Sequence, residues 1–366
     1  MLYALRMAGE CRVGGFSRQG TAMIKGVAIL TMLFHHFFGA YHVDSGITQA
    51  VFANRDFCAL SAWAWEAKVC VALFAFVTGY GYYVTAGRDT GCAWGSGFRR
   101  LRRFYPLFIA FCLLHILLCY CCPFQDALND QQVPHYLLTM VGLLSAAPDY
   151  WYICVVILGA LLFYPVLLAA RRCCGSIYLV AFIGLSLLSI TWIRDEVFVL
   201  ILSCFTAQAE EIYRYVLSRS LYLVSLPWMI YFLVGWAVAA VSLRLCVTSV
   251  LLLTVSSAVL LVNVPQFPFW VGSFPCILLT VWVLQRVDGH WVGWLVLLGK
   301  YSACMWLNHR LIFGYWFADF FYGLPTPLNY LLLVGVSLGV SVVVMWVWEE
   351  WVMGGRKKRR HDDAAA

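Results

Sequence analysis

The chain has 366 residues, of which 63% are hydrophobic and 12% are charged, and its mean hydropathy is +0.81. Soluble domains carry about 25% charged residues, so this composition excludes a soluble enzyme and predicts one membrane domain at 1–352 with a basic tail at 353–366. The net charge of +7 does not indicate a nucleic-acid partner, because the basic residues lie between apolar runs, as they do in membrane proteins.

Apolar runs long enough to cross a lipid bilayer recur along the whole chain, since a spanning helix needs about 20 residues. In chain order they predict ten helices, at 22–42, 68–86, 104–122, 150–170, 176–193, 226–243, 246–263, 268–285, 293–318 and 328–350. Arginine and lysine fall in alternate connections, as at 99–103 and 171–172, and again in the tail at 356–360. By the positive-inside rule this alternation predicts an all-α, multi-pass membrane protein with both termini in the cytoplasm.

The 15 cysteines do not indicate a metal site. Many of them lie inside apolar runs, where cysteine behaves as a small hydrophobic residue. Their clusters lack the spaced cysteine and histidine pairs that bind zinc. We therefore predict no bound metal, and without a glycine-rich phosphate loop or a dinucleotide fingerprint we predict no resident cofactor.

The first predicted helix carries Lys25, His35 and His36 in an otherwise apolar run. Ionisable groups inside a membrane are costly and are usually functional. Eleven positions separate Lys25 from His36, so an ideal helix places them within about 20° of one face and about 16 Å apart. His35 lies about 80° from the face of Lys25. The pattern predicts a cation at the entrance and a histidine base deep in the helix; a buried histidine that only packs helices is the alternative.

Four further segments carry small, aromatic or basic residues at regular places on the predicted helices. With the first helix they form an ordered set of five: Lys25 to His36, Lys68 to Gly81, Arg99 to Pro106, Trp151 to Pro165, and Gly299 to His309. In this order the five segments resemble the signature of the membrane acyltransferase family 3, and the resemblance spans nearly the whole chain. Each segment alone is weakly specific, whereas five in order at matching topological positions form a strong signal.

The resemblance implies an acyl-CoA-dependent O-acyltransferase of the bacterial inner membrane. The implied donor is acyl-CoA, with acetyl-CoA expected, and the implied acceptor is a hydroxyl of an envelope glycan or of its lipid-linked precursor. His36 would be the catalytic base or acyl carrier. The donor would be held by cationic side chains, namely Lys25, Arg99, Arg100, Arg102 and Arg103. Guanidinium groups suit phosphates, although the same arginines also suffice as an ordinary topology signal.

The acceptor site is less sharply defined by the sequence. Its candidates, including supporting residues, are His35, Asp149, Trp151, Tyr152, Asn308 and His309. Many family members carry a glutamate early in the fourth helix, where this chain has Cys154 followed by two valines. Asp149 and Tyr150 are candidates to replace it. Asn308 and His309 fit a structural polar cluster equally well, and the aromatic pair at 151–152 also fits the membrane interface.

A transport function is the main alternative. A secondary transporter or glycan flippase would use the buried histidines as a proton relay. That function favours internal repeats and broken helices, and no such repeat is visible in the sequence.

Overall fold

The structure is a computed structural model that describes residues 17–39, 67–86, 92–121, 152–173, 225–241, 269–284 and 289–353, with short pieces elsewhere. These residues are helical apart from a few turns. The two exceptions among the short pieces are β1 (Cys11–Arg12) and β2 (Arg244–Leu245), which pair antiparallel. The described part of the chain therefore has the all-helical character that the composition predicts.

The helices follow one another at nearly the predicted places. They are α1 (Arg18–Phe38), α2 (Val69–Ala86), α3 (Ala93–Cys121), α4 (Tyr152–Leu158), α5 (Tyr164–Cys173), α6 (Met229–Val241), α7 (Phe269–Leu284), α8 (His290–Arg310), α9 (Ala318–Gly323) and α10 (Leu328–Val347). A 3₁₀ turn, Leu226–Trp228, precedes α6, and π-helical turns occupy Gly159–Phe163, Leu311–Trp316 and Trp348–Met353.

Four helical stretches are long and apolar enough to cross a membrane: Arg18–Phe38, Val69–Ala86, Tyr152–Arg172 and Leu328–Glu350. A helix satisfies its own backbone hydrogen bonds, which is what a segment in lipid must do. The chain therefore has the character of a helical membrane protein. The count of ten spans and the cytoplasmic position of both termini stay predictions. The predicted helices at 176–193 and 246–263 fall almost entirely outside the described residues.

Several helix boundaries differ from the predicted ones, and two of these differences affect the candidate site. α1 ends at Phe38 and not at residue 42, because Gly39 follows and glycine is a poor helix former. Its two histidines therefore lie in the last turn, not deep within the helix. α3 begins at Ala93 and not at residue 104. Arginine is a good helix former, so the arginines at 99–103 belong to the helix and not to the connection before it.

The chain divides into two compact units, Met1–Ile24 with Val71–Val287, and Lys25–Cys70 with Asp288–Ala366. In the first unit, α2 and α6 meet backbone to backbone through glycine. A Cβ added at Gly79 would lie 1.9 Å from the Phe232 carbonyl oxygen, and one at Gly235 would lie 2.0 Å from the Phe76 carbonyl oxygen. Such reciprocal contacts through small residues are typical of helices packed within a membrane.

The second unit has an aromatic core next to the end of α1. Its buried members are Phe37, Phe38, Ala64, Ile312, Phe313, Phe321 and Leu333. The ring of Phe37 stacks on Tyr322 with centroids 5.1 Å apart, and the Tyr330 hydroxyl donates to the Leu30 carbonyl oxygen at 2.7 Å. Buried aromatic rings contribute large apolar areas and prefer defined orientations, so this core fixes the last turn of α1 against α9 and α10.

Candidate functional site

Three histidine rings lie in a row in the second unit. The centroids of His35 and His36 are 5.1 Å apart, and those of His36 and His309 are 4.9 Å apart. His36 is therefore the middle ring, with its neighbour on α1 on one side and a residue of α8 on the other. Of the three, His36 is half-buried, whereas His35 and His309 are buried. The middle ring is thus the most exposed of the three.

His35 is oriented by the backbone. Its Nδ1 lies 2.6 Å from the carbonyl oxygen of Ala64. A carbonyl oxygen can only accept, so Nδ1 carries the proton and donates it. With 3% of its surface exposed, His35 is held as a packed and hydrogen-bonded ring. These contacts fix His35 beside His36, and its supporting role stays a prediction.

His309 is also oriented by the backbone, but only at one nitrogen. Its Nδ1 lies 2.6 Å from the Trp306 carbonyl oxygen and therefore donates to it. Its Nε2 is buried and has no hydrogen-bond partner among the residues that the structure describes. A buried imidazolium without a counter-charge is costly, so we assign the unprotonated form to Nε2. The side chain thus presents a lone pair in a buried position beside His36.

Asn308 faces another way and is fully engaged. Its Nδ2 donates to the Ser337 carbonyl oxygen at 3.1 Å and to the Ser341 hydroxyl at 2.9 Å. Its Oδ1 accepts from the Ser337 hydroxyl at 2.6 Å. These bonds hold α8 against α10, as those of a structural polar cluster do, and a role of Asn308 at the acceptor site stays a prediction.

A π-helical turn begins two residues after His309. Leu311–Trp316 continues α8, and its residues Ile312 and Phe313 belong to the aromatic core. π-helical turns occur frequently at functional sites. His309 is therefore held between the polar cluster of Asn308 and an apolar anchor formed by the turn that follows.

Lys25 lies on the same continuous helix as His36. α1 runs unbroken from Arg18 to Phe38, so the register of eleven residues holds and the two side chains share a face about 16 Å apart. Lys25 is half-buried.

The arginines of α3 belong to the first unit and do not share one environment. The guanidinium carbon of Arg100 lies 4.5 Å from the Tyr82 ring centre and 4.7 Å from that of Tyr164. Its Nη2 donates to the Thr85 hydroxyl at 2.6 Å. Cation–π contacts and this hydrogen bond tie the side chain to α2 and α5. These contacts pack Arg100 between helices, and its donor-binding role stays a prediction.

The neighbouring arginines are more open. Arg99 and Arg102 are exposed, and Arg99 donates to the Ser96 hydroxyl at 2.7 Å. Arg103 lies on α3. Two of the four predicted donor-binding arginines are therefore exposed for contact with an anion.

Arg171 also contacts a tyrosine of α2, although the sequence pattern indicates only a topology role for it. Its guanidinium carbon lies 4.3 Å from the centre of the Tyr83 ring, and its Nη1 donates to the Tyr83 carbonyl oxygen at 3.0 Å. The sequence signal that could have indicated this contact is the pair of consecutive tyrosines, Tyr82 and Tyr83. Each of them faces an arginine from another helix.

The remaining acceptor-site candidates lie near the start of α4. Asp149 and Trp151 fall outside the described residues. Tyr152 is half-buried, and its ring centre lies 6.0 Å from that of Phe74. Cys154 is fully buried, so the position at which relatives of the suggested family carry a glutamate is here part of the apolar packing.

Within the described residues, no group of three histidine, cysteine or acidic side chains is arranged to hold a metal ion. The comparisons with known proteins give no match to a family model, to a curated protein or to a solved structure. The geometry of the histidine row and of the arginines therefore carries the functional interpretation.

Proposed function

We propose that this protein is a membrane-bound O-acyltransferase of the acyltransferase family 3 type. It would move an acyl group, acetyl by expectation, from cytoplasmic acyl-CoA to a hydroxyl of an envelope glycan or its lipid-linked precursor. The observation that carries the proposal is the half-buried His36 between two buried histidines, each fixed by a backbone carbonyl. A base that is accessible, oriented and shielded from bulk water is what acyl transfer to a hydroxyl requires.

The proposed reaction uses one side chain as base and acid. His36 takes the proton of the acceptor hydroxyl while the hydroxyl oxygen attacks the thioester carbonyl carbon. The new carbon–oxygen bond forms, the carbon–sulfur bond breaks, and the proton on His36 passes to the leaving thiolate. The products are the O-acyl glycan and the thiol of coenzyme A. The reaction needs no metal and no redox partner.

The candidate donor-binding residues of the proposal are cationic. Lys25 shares the face of His36 on α1. In the other unit, Arg99 and Arg102 are exposed on α3 and are separate candidates. Guanidinium forks bind phosphate oxygens in pairs, which suits the phosphates of coenzyme A. The proposal includes ten spans, cytoplasmic termini, one membrane domain at 1–352 with a basic tail, and a bacterial inner membrane.

The decisive experiment compares the two histidines of α1. Purified protein in proteoliposomes would be given radiolabelled acetyl-CoA and an envelope glycan extract from cells that lack the protein, and O-acetyl incorporation would be measured. His36→Ala should lower transfer by about a hundredfold to ten-thousandfold, as loss of a general base does. His35→Ala, the matched control, should keep appreciable activity at equal abundance. Full activity in the His36 variant would exclude the mechanism.

One observation also favours a transporter. Three imidazoles at successive centroid separations of 5.1 Å and 4.9 Å have the spacing that a proton relay needs. The two functions separate in proteoliposomes. A transporter moves protons down an imposed pH gradient without acetyl-CoA, whereas the proposed enzyme consumes acetyl-CoA and conducts no protons.

A further inference from the structure

We infer that His309 is the positioning residue of His36, whose ring it holds by accepting a hydrogen bond at Nε2. The inference rests on the proposed function and deepens it. In this arrangement the His36 nitrogen that faces His309 carries a proton. The opposite nitrogen is then bare and faces the acceptor hydroxyl. His309 thus decides which nitrogen of His36 acts as the base.

The first argument is the unused lone pair. His309 is fully buried and donates from Nδ1 to the Trp306 carbonyl oxygen, and its Nε2 has no hydrogen-bond partner in the described part of the chain. Buried polar atoms are nearly always satisfied, so an unsatisfied one requires a reason. The ring centroid of Phe313 lies 5.7 Å from that of His309, and a phenyl ring has no N–H or O–H donor. His36 is the neighbouring ring that can supply the donor.

The second argument is distance. The His36 and His309 centroids are 4.9 Å apart, and the ring planes cross at 68° instead of stacking. At this separation a small rotation of His36 brings a nitrogen of one ring within hydrogen-bond reach of the other. Hydrogen bonds of a catalytic site are often long before substrate binds and shorten in the productive complex.

The third argument is rigidity. The Trp306 carbonyl fixes the ring of His309 from below, and the bonds of Asn308 to Ser337 and Ser341 fix the helix that carries it. An orienting group must itself be held firmly to select one tautomer of the base, as the third member of a catalytic triad does. His309 meets this requirement, and it stays unprotonated while His36 carries the proton from the hydroxyl to the thiolate.

Two substitutions separate positioning from packing. The side-chain oxygen of glutamine reaches about as far as Nε2 of histidine, so His309→Gln keeps an acceptor towards His36. The amide of asparagine reaches about as far as Nδ1, so His309→Asn keeps the donor to the Trp306 carbonyl and loses that acceptor. The inference predicts that the Asn variant loses about tenfold to a hundredfold in kcat with unchanged KM for acetyl-CoA, and that the Gln variant keeps most activity.

A purely structural His309 predicts the reverse order, because the asparagine then preserves the contact that matters. That order, or two variants as active as the wild type, would overturn the inference while leaving the proposed function standing. Binding of radiolabelled acetyl-CoA and membrane abundance would be measured for each variant. Loss of both properties in both variants would also overturn the inference, since the residue would then be needed for folding. A wild-type protein without any transfer would instead remove the proposed function, and this inference with it.

Discussion

Replacing Gly26 with alanine should weaken catalysis without altering any group of the candidate site. Gly26 on α1 packs against the backbone of α8, and a Cβ built there lies 2.2 Å from the Leu295 carbonyl oxygen. Ordinary contact begins at 3.4 Å, so the two helices must separate locally by the difference, about 1.2 Å. The clashing atom belongs to the backbone and not to a flexible side chain, so a change of rotamer cannot relieve the clash.

The same two helices carry His36 and His309, whose centroids are 4.9 Å apart. Forcing an extra methyl group into a packed contact costs about 1–3 kcal/mol of stability. A displacement of about 1 Å at a catalytic group can cost about a hundredfold in rate. Nine residues of helix lie between Gly26 and His36 and absorb part of the movement. We therefore expect a loss of about tenfold in transfer together with reduced stability.

Thermal unfolding of the purified protein and acetyl transfer would both be measured. The matched control is Gly293→Ala on α8, because Gly293 is exposed and an added Cβ there meets nothing within 4 Å. The control should equal or slightly exceed the wild type in stability, since alanine favours helix over glycine. A Gly26 variant with the stability and activity of the control would show that the tight contact of α1 and α8 is not required.

Two further predictions concern the arginines of α3 and the cysteine at its start. Arg100→Lys should lower the free energy of unfolding by about 1–2 kcal/mol with donor binding intact, because lysine loses the planar stacking. Arg102→Gln should instead weaken acetyl-CoA binding at unchanged melting temperature. Equal effects of the two substitutions would contradict the assignment of a packing role to Arg100 and a donor-binding role to Arg102. The backbone N–H groups of Gly95 and Trp94 lower the pKa of the Cys92 thiol. At pH values below the ordinary thiol pKa, Cys92 should be alkylated faster in the folded protein than in the denatured chain, because more of it is thiolate. The ratio of the folded to the denatured alkylation rate should fall towards one as the pH rises. Equal rates at every pH would contradict this prediction.

The positions of the helices could be predicted from hydropathy because a segment in lipid must satisfy its own backbone. α2 and α10 lie within three residues of their predicted limits at each end. The ends of a helix are less predictable where charge and helix propensity disagree. The arginines of α3 mark a polar boundary by composition, yet they continue the helix by propensity. Composition therefore locates the membrane boundary near these arginines without locating the end of the helix.

The partners of the candidate residues could not be predicted in the same way. The alignment of Lys25 with His36 follows from the helical period alone, since both lie on one helix. The approach of His36 to His309 depends on which helices become neighbours, and the hydropathy pattern of a single helix does not identify its neighbours. The contact of Arg100 with two tyrosines has the same origin. Local periodicity thus predicts a shared face, whereas long-range packing decides the site.

Two pairs of adjacent residues show how the fold separates structural from functional polar groups. Successive residues of a helix point about 100° apart, so neighbours meet different surroundings. Asn308 bonds to the serines of α10 through both its amide donor and its amide acceptor. His309 lies beside His36, and its Nε2 has no hydrogen-bond partner among the described residues. On α1, His35 is buried against a carbonyl while His36 is half-buried. A satisfied and buried neighbour restrains each pair, and under the proposed function this restraint would let the other member meet a substrate or its base in one orientation.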